Sequence, residues 1–81
     1  MGAMYGKRPL PILAQKGYFM LSNGMFCVYG QMADEGLCVD VYRDRNMKEL
    51  VSMQHGIISS EELDVRANDL RMLMESMIDE F

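Results

Sequence analysis

Side chains able to do chemistry are few in this chain: two cysteines and one histidine. Cys27, Cys38 and His55 are separated by ten and then sixteen residues. Zinc motifs place their ligands at short repeated spacings and need a fourth ligand. Neither feature is present, so the two cysteines read as buried structural residues, and no metal and no cofactor is expected. A Cys27–His55 nucleophile–base pair would require the two to meet in space. His55 instead precedes Gly56, a natural helix stop, where a cationic side chain complements the helix dipole.

The carboxylates offer no better site. Asp34, Glu35, Asp40 and Asp44 are not held in a fixed pair by their spacing. The seven glycines are scattered at turns and form no phosphate loop. Asp64, Asn68 and Asp79 do not follow calcium-loop spacing. The chain therefore reads as a non-enzyme.

The elements that position these residues begin with Asn23-Gly24. This pair sits between Tyr18–Ser22 and Met25–Tyr29, both rich in strand-forming residues. Asn-Gly favours a two-residue turn, which would set Leu21 opposite Phe26 and Phe19 opposite Val28. Met32–Gly36 reads as the next turn, and Leu37–Tyr42 alternates as a third strand. Asn46 with Glu49 suggests a helix start, predicting a short helix from Met47 to His55. Ser59 with Glu62 makes a capping box, predicting a longer helix from about Ser60 to the C-terminus.

The expected fold is α+β. A three-stranded antiparallel β-meander, with room for an N-terminal edge strand over Ile12–Ala14, precedes the short helix and the longer C-terminal helix. Both helices pack on one sheet face. Residues 1–17 form a basic arm, denied helix by Pro9 and Pro11. Met1–Ala3 reads as a cloning remnant ahead of Met4. Residues 18–81 form the single domain.

Alternation assigns Phe19, Leu21, Phe26, Val28, Leu37, Val39 and Val41 to the core face. The opposite face would carry Tyr18, Met20, Ser22, Met25, Cys27, Tyr29, Cys38, Asp40 and Tyr42. Tyr and Met are enriched at protein interfaces, and a solvated face would normally be charged. Tyr18, Met20, Met25, Tyr29 and Tyr42 are therefore the expected protein-binding residues, unless the arm or the short helix folds over them. The helix carries an apolar seam at Leu63, Ala67, Leu70, Met74, Met77 and Phe81. It lies either on its own sheet or, through Leu63, Leu70, Met74, Met77 and Phe81, on a twin in a dimer.

The net charge of −4 argues against direct nucleic-acid binding. The charge is uneven: Lys7, Arg8 and Lys16 occupy an arm without acids, while residues 56–81 hold seven acids against Arg66 and Arg71. That acidic stretch reads as a solvated helix face, or as a mimic of nucleic-acid charge that the two arginines interrupt. No secretory signal and no apolar run near bilayer length is visible, so the cytoplasm is the expected location.

The resulting expectation is a small, acidic, homodimeric protein-binding domain. It would act as an inhibitor or adaptor by occupying a partner protein's surface, in the manner of viral or mobile-element inhibitors of host nucleic-acid-processing enzymes. The alternative is a small dimeric DNA-binding regulator using Lys7, Arg8 and Lys16 as basic arms.

Overall fold

The computed structural model describes residues 8–81, so Lys7 and residues 1–3, read above as a cloning remnant, lie outside the described residues. Four strands form one antiparallel sheet in sequence order: β1 (Gln15–Met20), β2 (Phe26–Met32), β3 (Gly36–Tyr42) and β4 (Leu50–Ile58). One α-helix follows, α1 (Ala67–Ser76). The α+β class is as expected, with one strand more and one α-helix fewer. Among the described residues, no helix is long and apolar enough to cross a membrane.

The first hairpin differs from its expected register by one residue. Its loop spans three residues, Ser22 to Gly24, and Leu21 N–H donates to the Met25 carbonyl at 2.9 Å. Gly24 takes a positive φ of 92°. Asn23 stays out of the left-handed region and accepts the Met25 amide through Oδ1 at 3.1 Å. Met20 therefore faces Phe26, and Phe19 faces Cys27. A one-residue slip exchanges the two faces of a strand. Cys27 and Tyr29 join the helix side, while Phe26 and Val28 move to the opposite side.

The predicted helix over Met47–His55 is strand β4 instead. β3 is buried along nearly its whole length, and a buried strand edge cannot leave its amides and carbonyls unpaired. A nine-residue helix is marginal on its own, and β-branched Val51, Ile57 and Ile58 favour the sheet. Asn46 does not start a helix. Its amide donates to Asp44 Oδ1 at 2.9 Å inside the β3–β4 loop, which Arg43 and Glu49 close with a 2.9 Å ion pair.

The long C-terminal helix is interrupted. A 3-10 turn covers Ser60–Glu62, Arg66 is extended at the helix entrance, and a second 3-10 turn covers Ile78–Glu80. Ser59 and Glu62 do meet, through a 2.9 Å side-chain bond. The apolar seam lies on the chain's own sheet. Leu70 and Met74 are fully buried against Phe19, Leu21, Cys27, Leu37, Val39 and Val41. Leu63, Met77 and Phe81 pack partly buried around them. Burial raises the Cys27 thiol to about 12, helped by the Glu75 charge.

The described part of the arm, around Leu10 to Ala14, covers part of the other face. The chain crosses the sheet at Gly30, where a Cβ would stand 2.0 Å from the Ala14 carbonyl oxygen. Leu10 is thereby buried, 4% exposed, on the side away from α1.

Candidate functional site

Two features lie on or beside this arm-covered face. One is apolar and open. The other is polar and closed.

The open feature follows β1, the first edge of the sheet. Leu13 is 100% exposed, Ile12 83%, Tyr18 69% and Met20 43%. Ile12 and Leu13 belong to a 3-10 turn that leads into β1. Tyr18 and Met20 point to the arm side, where the Tyr18 ring lies 5.3 Å from that of Phe26. Arg45 Nη2 reaches Met20 Sδ at 4.0 Å. Register places Met20, Phe26, Tyr42 and Leu50 in one row across all four strands.

The five expected contact residues are thus divided. Tyr18, Met20 and the half-buried Tyr42 share the arm side. Met25 and Tyr29 pack on the helix-side core, with the Tyr29 ring 5.9 Å from Phe19. Burial and the Asp40 charge raise the Tyr42 hydroxyl above its ordinary range. Arg8 and Lys16 are exposed at the start of the described chain. Ile12 and Leu13, absent from the expected contact set, are the most exposed apolar residues of the edge. Proline-bounded position alone does not distinguish an exposed turn from a covered one.

The closed feature lies deeper on the same face. β3 and β4 set Cys38 directly opposite His55, and Asp40 stands two residues along β3 on the same side. Gly56, with φ 70°, opens a bulge in β4 after His55. A Cβ there would sit 3.3 Å from the Glu35 carbonyl, so this opening admits the β2–β3 turn. Glu35 Oε1 then meets His55 Nδ1 at 2.8 Å.

Asp40 is completely buried. Its Oδ2 accepts the Leu10 amide at 2.7 Å. Its Oδ1 is 4.0 Å from His55 Nε2, too far for a hydrogen bond. Burial raises the Asp40 carboxyl, against the opposing effects of the Leu10 amide and the His55 charge. Burial also raises the Cys38 thiol; the Gly56 backbone opposes this, the Glu35 and Asp40 charges add to it, and the Met32 backbone opposes it.

Cys27 is not part of this cluster, because it faces α1 while His55 faces the arm. The sheet separates the two residues that spacing had offered as a pair. Glu35 and Asp40 had no visible link to His55 in the sequence. Only the β3–β4 register and the Gly56 bulge bring them together.

No protein-family model, curated protein or solved structure matches the chain in the comparisons made with each.

Proposed function

We propose that this chain is a non-enzymatic protein-binding domain that associates through its β1 edge, first of all with a second copy of itself. The observation that supports the reading is the set of uncovered apolar side chains at Ile12 and Leu13, in the turn that leads into the edge strand, and at Tyr18 and Met20 on the strand itself. An edge strand presents unpaired backbone groups that template a further strand. Natural edges are usually guarded by charge, and on β1 only Lys16 serves that purpose. Joining two β1 edges would extend the sheet and withdraw these side chains from water together. Tyr gives such a contact a rigid ring with a polar tip, and Met adapts to the facing surface.

In this reading the domain works as an adaptor or inhibitor by occupying surface on a partner, with no reaction of its own. Light scattering over a range of concentrations tests it. A mass of twice the chain, reduced to one chain by Leu13→Asp with Tyr18→Asp and with an unchanged circular dichroism spectrum, is the expected result. A monomer at every concentration overturns self-association.

A further inference from the structure

Glu35, Cys38 and His55 offer an oxygen, a sulfur and a nitrogen that lie within 4.8 Å of one another. Hard cations such as magnesium and calcium take oxygen ligands, whereas a mixed thiolate, imidazole and carboxylate set suits a zinc-class ion. We propose that these three side chains bind a zinc-class divalent cation, with His55 ligating through Nδ1 and Asp40 holding the far side of its ring.

A second observation points to the same ligand. Asp40 Oδ1 and His55 Nε2 are buried without a hydrogen-bond partner. The His55 side chain is 1% exposed and that of Asp40 0%. Such atoms are costly to leave unpaired. With the ring proton on Nδ1, directed at Glu35, Nε2 presents a bare lone pair to a carboxylate oxygen 4.0 Å away. Two acceptors then face each other with no proton between them.

Cation binding at Nδ1 resolves this. The ring proton moves to Nε2, which becomes a donor toward Asp40 Oδ1. An approach of roughly 1 Å brings the pair to hydrogen-bond distance. The buried acceptor and the buried nitrogen are satisfied in one step. A metal-bound histidine commonly has its other ring nitrogen held by a carboxylate in this way.

The proton balance is simple. The Cys38 thiol releases one proton to solvent on becoming a thiolate, and the imidazole keeps its single proton on the other nitrogen. In the metal-free chain the Cys38 Sγ–H donates to the Gly36 carbonyl at 3.6 Å, and a bound cation takes the place of that proton. Glu35 is 35% exposed, so a cation reaches the site past the β2–β3 turn, and water can complete the coordination. A proton on His55 could also satisfy both carboxylates, but it would leave Cys38 uninvolved. The sulfur therefore distinguishes a cation from a proton.

Cobalt(II) is the probe, used as a spectroscopic substitute for zinc on the full chain. The expected result is a thiolate-to-cobalt charge-transfer band that saturates at one ion per chain and is bleached by zinc. Cys27→Ser must retain the band. The chain has two cysteines, so retention assigns the thiolate to Cys38 even where Cys38→Ser does not fold. Asp40→Asn should weaken binding about 10- to 100-fold while keeping the band. Absence of the band in the folded chain at millimolar cobalt, or its loss in folded Cys27→Ser, overturns the proposal.

Discussion

Ser22 binds Glu75 twice across a separation of 53 residues. Its amide donates to Oε2 at 2.6 Å and its hydroxyl to Oε1 at 2.7 Å. This clasp ties the first hairpin loop to α1 and so fixes where the helix lies on the sheet. Arg71 Nη1 approaches the same carboxylate at 3.7 Å from one turn earlier.

The clasp predicts a pH dependence. Hydrogen bonds from the Ser22 hydroxyl and amide, then the Arg71 charge, hold the Glu75 carboxyl below the usual glutamate range. A carboxyl with a depressed folded-state value stabilises the fold fully above its unfolded value, about 4.3. That contribution fades as pH falls through the lower folded value. Glu75→Gln should lower the urea midpoint at neutral pH and flatten its decline in acid. Parallel curves for variant and parent would show that Glu75 is not a source of the acid sensitivity.

Gly30 predicts a second effect. A Cβ there meets backbone, at 2.0 Å from the Ala14 oxygen and 2.9 Å from its carbon. Backbone cannot swing aside as a flexible side chain can. Gly30→Ala should cost about 1–3 kcal/mol and lift the arm, exposing Leu10. Faster protease cleavage near residues 8–14 is the readout. Gly24→Ala serves as the comparison: its Cβ meets nothing within 4 Å, and only its positive φ is strained. It should cost about 1–2 kcal/mol and leave cleavage of the arm unchanged.

The helix seam predicts a contrast between two methionines on one helix. Met74 is fully buried and Met72 is 58% exposed. Met74→Ala should cost about 2–5 kcal/mol through lost packing and the cavity left behind. Met72→Ala should stay within about 0.5 kcal/mol. Equal small losses in denaturant titrations would mean that α1 does not rest on the sheet as described.

Much of the architecture was legible in residue order. Asn23-Gly24 and its strand-forming flanks marked the first hairpin, and alternation marked the third strand. The spacing of Leu63, Leu70, Met74, Met77 and Phe81 marked an apolar seam. Leu50–Ile58 misled because its local signals are divided: Asn46, Glu49 and Gly56 resemble helix boundaries, while Val51, Ile57 and Ile58 favour strand. The open edge of β3 decides between them, and that edge exists only once the sheet has formed.

The sequence by itself determined that this is an α+β chain, with a hairpin at Asn23-Gly24 and an apolar seam near its C-terminus. These follow from period and turn chemistry, which act over a few residues. Tertiary structure alone decided which side chains share a face. A one-residue difference in loop length moved Tyr29 toward α1, left Tyr18 on the open edge, and set Val28 beside Asp40 and Phe26 beside Tyr42. It also decided that Glu35, Cys38, Asp40 and His55 meet. Their meeting depends on strand register and on one bulge at Gly56, neither of which leaves a spacing to read along the chain.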